Sequence, residues 1–324
     1  MAVGLLFLVA CAPPCGVGEI CTLAGADVVG FNGEGLPAPE SWLYLPSALT
    51  LNPEGEPCIV DFNNNRLRCL EAGTLVTVAG NGSHEYSVPG APLLETPIEN
   101  PIDALWDADG RLLLLPTHES RVVAADPDGK LVVIAGTGDE GYTGDGGPAT
   151  EATFAQPGGI AVSDDGALWI ADTLNGAVRR VGLDGVVTTV LAEVPGVQRV
   201  RPGMDGHVLV ADAFAGRVLD LAPDGTSTLL GEGYRYPWSA RLGHDGAVYV
   251  ASSGDHQVFR LVDGEEELVA GSGEAGFSGD GGPAVDASLS WPADTLLLAD
   301  GTLLIADMQS GRVRSVAGVA AETD

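Results

Sequence analysis

The chain carries 45 Asp and Glu against 15 Lys and Arg, a formal net charge of −30, and three of its few arginines recur where chemistry could be done. In a series of similar segments, each with a glycine in its first turn, Arg199 and Arg201 stand seven and five residues before Gly206, and Arg241 stands five before Gly246. Asp103 and Asp294 hold the seven-back position before Gly110 and Gly301. The whole seven-back set reads Ala48, Asp103, Gly159, Arg199, Ser239 and Asp294, and the five-back set reads Thr50, Leu105, Ala161, Arg201, Arg241 and Leu296. A guanidinium presents a planar fork of donors that matches carboxylate, phosphate or sulfate oxygens. Gathered in one place, these arginines make a cationic patch for a small anionic ligand, with Trp238 beside it. The other reading is internal neutralisation, in which the arginines only balance Asp103 and Asp294.

Whether these residues meet depends on the elements that carry them. Three long segments nearly coincide: GFNGEGLPAPESWLYLP from Gly30 to Pro46, GYTGDGGPATEATFAQP from Gly141 to Pro157, and GFSGDGGPAVDASLSWP from Gly276 to Pro292. Shorter copies are anchored at Pro101/Gly110 and Pro237/Gly246, and a sixth ends at Gly206 with Val197 in place of the proline. The third copy predicts four strands, at Gly159 to Val162, Ala167 to Ala171, Ala177 to Val181 and Val186 to Leu191. Asp-Gly and Asn-Gly turns separate them, because these residues tolerate the positive φ of tight hairpins. The strands are apolar on both faces and helical periodicity is absent, so each unit must be covered on both sides. Six such units predict an all-β, six-bladed β-propeller of four-stranded antiparallel blades. The last unit stops after three strands, and its fourth appears at the other end as Ile20 to Gly25, which closes the ring with one N-terminal and three C-terminal strands. The innermost strands then line a central tunnel, and all five charged residues face it.

The runs AGTGDEGYTGDGGPATEATFAQPGGIAV, LWIADTLNGAVRRV and LLIADMQSGRVRSVAG resemble the NHL repeats of bacterial secreted propellers, over residues 19 to 318. His256 falls where that family places its repeat histidine. The resemblance implies the propeller and no single activity, since such rings host binding proteins and enzymes alike. Propeller lactonases and lyases hold a metal at the tunnel centre. A calcium on Asp103 and Asp294 is the cofactor such an enzyme would take, and otherwise none is expected. The five histidines do not converge by repeat position, with His84 and His118 in separate loops. No Gly-x-Ser-x-Gly elbow is present. No catalytic residue is therefore assigned, and a binding or scaffolding module is the primary expectation.

Further expectations concern the ends and the loops. Residues 1–18 read as an export signal and linker, with Leu8 to Cys11 resembling a lipobox and Cys11 the lipidated residue. Residues 319–324 form a tail. Cys58 and Cys69 fall opposite one another on adjacent strands and are expected to bridge, as are Cys15 and Cys21, which suits an oxidising compartment. The charge excludes nucleic acid and anionic membrane surfaces, leaving membrane contact only through a lipid anchor. The expected partner is an envelope protein, a glycan or a small anion, met by a monomer at the long-loop face or the tunnel mouth. Phe31, Tyr142 and Phe277 are expected to pin their own loops. The Gly-Asp-Gly-Gly steps at Asp145 and Asp280, with Glu34 in the first copy, read as turns rather than calcium loops. Asp61, Asp172, Asp212 and Asp307 read as acceptors for the turn that follows each of them.

Overall fold

A computed structural model describes residues 15–320. Six antiparallel sheets follow one another along the chain, and in each the strands lie in order from the tunnel outward. The inner strands are Pro46–Leu51, Pro101–Trp106, Gly159–Val162, Val197–Pro202, Pro237–Leu242 and Pro292–Leu297. Each pairs with a second strand across a tight turn. In blade 2 the turn is built by Asp107, whose Oδ1 accepts the N–H groups of Asp109 and Arg111 while Gly110 takes φ 75°. The ring closes as expected: Glu19–Ala24 lies beside Arg312–Val316 as the fourth strand of blade 6.

Apolar side chains from neighbouring blades interleave, so the core is a set of clusters between sheets rather than one centre. Ile170, Phe154 and Leu168 of blade 3 pack with Ile102, Leu113 and Leu115 of blade 2. Trp169 is fully buried on the opposite face of the same sheet, against Val200 and Val210 of blade 4, and its Nε1 donates to Ser163 Oγ at 2.9 Å. Cys58 sits directly across from Cys69 and is bonded to it, and Cys15 is bonded to Cys21. Cys11 and the lipobox lie outside the described residues.

The long loops do more than raise the upper rim. Each of the four runs out to the edge of its own blade before returning to the tunnel. Leu36–Pro37 pairs with Thr74–Ala79 in blade 1, and Gly282–Pro283 pairs with Glu19–Ala24 in blade 6, making both sheets five-stranded. Pro92 bridges to Lys130 in blade 2 and Pro148 to Val186 in blade 3. Blades 4 and 5, entered by short links, have no such cover, and their outer strands Ser227–Glu232 and Glu265–Ala270 are largely exposed. An uncovered edge offers unpaired backbone groups to other chains, and charge is one protection against that. Blade 5 carries three consecutive glutamates there, Glu265 to Glu267.

Candidate functional site

The tunnel brings all five charged residues together. Arg201 crosses from blade 4 and bridges two blades, donating to Asp103 at 2.6 and 3.1 Å and to Asp294 at 2.8 Å. Arg241 reaches the same Asp294 oxygen at 2.9 Å. Arg199 donates to the Ile102 carbonyl at 3.2 Å and lies 3.6 Å from Asp103. Gly159 leaves room for the Arg199 side chain, because a Cβ there would come within 2.8 Å of Arg199 Cγ. Both carboxylates also accept backbone or hydroxyl donors, Asp103 from Ile160 N–H and Asp294 from Leu49 N–H and Ser239 Oγ. Burial raises a carboxyl pKa, but the arginines overcome it and hold Asp294 well below the usual range. Burial also pushes Arg199 down to about 10. The internal-neutralisation reading therefore describes much of this network.

Trp238 occupies a bulge between Pro237 and Ser239, where the register of the inner strand shifts. The shift re-aims its ring into a group with Tyr236 at 5.9 Å and Trp291 at 6.1 Å. The ring also packs with the cluster holding Ile102, on the long-loop side of the network. On the other side a cavity of about 170 Å³ reaches Arg201 and Arg241. The arginines are thus approached from the face away from the long loops.

A second set of arginines was not singled out from sequence. Arg68, Arg179 and Arg314, on the third strands of blades 1, 3 and 6, are at most 1% exposed. Each follows its second-strand aspartate by seven residues, a spacing readable in the sequence at Asp61, Asp172 and Asp307. Each lies under a loop aromatic, with guanidinium-to-ring distances of 5.2 Å for Phe31, 5.1 Å for Tyr142 and 4.8 Å for Phe277. Arg179 also binds Asp145 at 2.7 Å and the Thr143 carbonyl, and Arg314 binds Asp280 at 2.5 Å and the Ser278 carbonyl. Phe31, Tyr142 and Phe277 thus pin their loops as expected, and the Gly-Asp-Gly-Gly aspartates act as ion-pair partners of these arginines.

Two expectations are corrected here. The aspartates Asp61, Asp172 and Asp307 accept backbone N–H groups from the loop that precedes them, those of Tyr44, Ala155 and Ser290, rather than from the following turn, which reaches Asp61 and Asp172 only through the side-chain amides of Asn64 and Asn175. Asp212 does accept from the following turn, at Ala215, because its blade lacks the long loop. The histidines converge in part: His118 Nδ1 lies 2.9 Å from Glu99, and His84 lies 3.5 Å from the same carboxylate. His256 accepts the Trp291 N–H on its ring Nδ1, a bond between blades that Asn65 repeats with the Asn100 N–H. Among the described residues no group of three or more His, Cys, Asp or Glu is placed to hold a metal ion.

The long-loop face carries a broad concave surface. Over the low side of the rim, a cleft of about 800 Å³ is lined by Leu174, Glu193, Pro195, Gln198, Phe214 and Tyr236, among others. Leu174 and Phe214 are 63% and 70% exposed. Phe214 begins an aromatic series that continues through Tyr236 at 6.1 Å to Trp291 at 5.4 Å from Tyr236. Tyr236 and Trp291 precede their inner strands with φ of 55° and 62°, the left-handed conformation that the repeat also imposes on Leu45, Asn100 and Gln156 at the same place.

Comparison with known proteins agrees with the fold. The family described as the Teneurin NHL domain matches residues 32–212, over half of the chain. Teneurin-1 of Mus musculus is 26% identical over 345 residues, an alignment that takes in 86% of this chain and 12% of teneurin-1, so this chain spans about an eighth of that relative. Among solved structures, an auxiliary nutrient binding protein from Bacteroides thetaiotaomicron superposes with a TM-score of 0.69 at 12% identity, covering 91% of this chain and 75% of that one. A gluconolactonase from Xanthomonas campestris superposes with a TM-score of 0.62 at 13% identity, covering 91% and 88%. At these identities the two structures share the fold alone with this chain.

Proposed function

The chain belongs to the Teneurin NHL domain family, and from that premise we propose that it is an exported binding module that takes a neutral oligosaccharide in the cleft between blades 3 and 5. The observation that carries this reading is the cleft itself, an open apolar surface with Phe214 and Tyr236 on one wall and Gln198 and Glu193 among its polar groups. The C–H face of a pyranose packs on an aromatic ring, and amide or carboxylate groups beside it take the hydroxyls. A net charge of −30 favours a neutral ligand over an acidic one. Two disulfides suit an oxidising compartment, and Cys11 would provide a lipid anchor at a bacterial envelope. The module works as a monomer and needs no cofactor. The name of the Bacteroides protein, a nutrient binder, describes the same kind of role on the same fold.

The rival is a lactonase- or lyase-like enzyme with calcium on Asp103 and Asp294. In this structure all four of their oxygens already accept hydrogen bonds, half of these from arginines and half from backbone N–H groups and the Ser239 hydroxyl. Isothermal titration of the disulfide-intact chain with neutral oligosaccharides should give saturable binding, weakened about tenfold or more by Phe214→Ala, the cost of one aromatic contact in a binding hot spot. Affinity unchanged in that variant removes the cleft from the account. A melting temperature that falls in EDTA and returns with calcium supports the enzyme instead.

A further inference from the structure

The charges in the tunnel do not balance. Three arginines face two aspartates, and the ion pairs there stay within this set. One positive charge is left over in a place where Arg199 and Arg201 are 0% and 3% exposed. An unpaired buried cation is costly, and a counter-ion relieves that charge.

A place for that counter-ion exists. On the face away from the long loops, a cavity of about 170 Å³ is bounded by Arg201, Arg241, Thr50, Leu105, Trp106 and Val162. The Arg241 side chain is 19% exposed, so the cavity is reached from solvent. We infer that it binds one small monocarboxylate, with the carboxylate against Arg201 and Arg241 beside Thr50, and a short apolar tail against Leu105, Trp106 and Val162. One excess positive charge matches a monoanion, and apolar walls would not solvate a second negative charge. The volume exceeds that of a bare ion, since a water molecule takes only about 30 Å³ of liquid. The overall charge of −30 does not forbid this, because it is spread over the surface and screened beyond about 8 Å at physiological salt. The site is on the opposite face from the oligosaccharide cleft and stands independently of it.

The test is isothermal titration of the disulfide-intact chain near neutral pH with propionate, benzoate and inorganic phosphate, at constant ionic strength. One benzoate or propionate should bind per chain, more tightly than phosphate. Arg241→Gln should weaken binding about tenfold or more, because a charge-assisted hydrogen bond is lost. Thr50→Val, which removes no charge, should weaken it several-fold, and it carries the test if Arg241→Gln does not fold. Phe214→Ala should leave carboxylate binding unchanged while weakening oligosaccharide binding, which separates the two sites. Absence of saturable carboxylate binding, tighter binding of phosphate, or an affinity unchanged in Thr50→Val overturns the inference.

Discussion

Asp61 and Asp307 sit under two loops with Arg68 and Arg314 nearby, yet burial dominates and pushes their pKa values up to about 6 and about 7. A carboxyl whose folded pKa is raised binds its proton more tightly in the native state, so its stabilisation is complete below the unfolded value and lost as pH rises through the folded one. Asp294 has the opposite sign, and its contribution is present above about pH 4 and lost below it. The melting temperature should therefore rise as pH falls from about 8 to about 5 and drop steeply below about 4. Asp307→Asn, which keeps an acceptor for the Ser290 N–H, should flatten the upper slope, and an unchanged slope would show that general charge repulsion alone produces it. Arg201→Met strands Asp103 and Asp294 with weaker partners and should cost about 3–5 kcal/mol in denaturant melts, as breaking a buried pair does. A loss under about 1 kcal/mol would mean that Arg199 and Arg241 compensate. The five tunnel residues were legible because inner-strand register follows from the turn glycines. The arginines at Arg68, Arg179 and Arg314 were less so, because their burial depends on a loop folding over them from some 35 residues earlier in the chain.

Strand positions came from turn chemistry and apolar runs, which are local, and the observed strands of blade 3 differ from the predicted ones by no more than a residue or so. The path of the long loops was not legible, since nothing local says that Leu36–Pro37 and Gly282–Pro283 travel to the outer edge. That path has a measurable consequence. The Val187 N–H of blade 3 donates to the Gly147 carbonyl in the covering loop, and Leu131 N–H of blade 2 donates to Ala91. Outward amides of Ser227–Glu232 and Glu265–Ala270, without such cover, should exchange with deuterium well ahead of these two. Equal protection at all outer strands would contradict the assigned role of the loops. The Cys58–Cys69 bridge closes a short hairpin, and replacing both cysteines with serine should cost about 2–3 kcal/mol by the loop-entropy estimate, read from urea midpoints.

Closure joins the two ends of the chain in one sheet, with Glu19–Ala24 filling the place beside Arg312–Val316. This was the most legible feature of the whole molecule, because a missing fourth strand at one end and a spare one at the other leave few alternatives. The aromatic cleft was the least legible. Leu174, Phe214 and Tyr236 are ordinary in sequence and become a surface only because two short links leave blades 4 and 5 low. Trp238 and Trp291 are close enough to Tyr236 for their emission to report on that surface. The direct measurement is therefore tryptophan emission of the disulfide-intact chain as neutral oligosaccharides are added, for the wild type and for Phe214→Ala. The account predicts a saturable change that Phe214→Ala weakens while its melting temperature stays near the wild-type value. Emission that does not respond to any oligosaccharide, or that responds equally in both proteins, would contradict it.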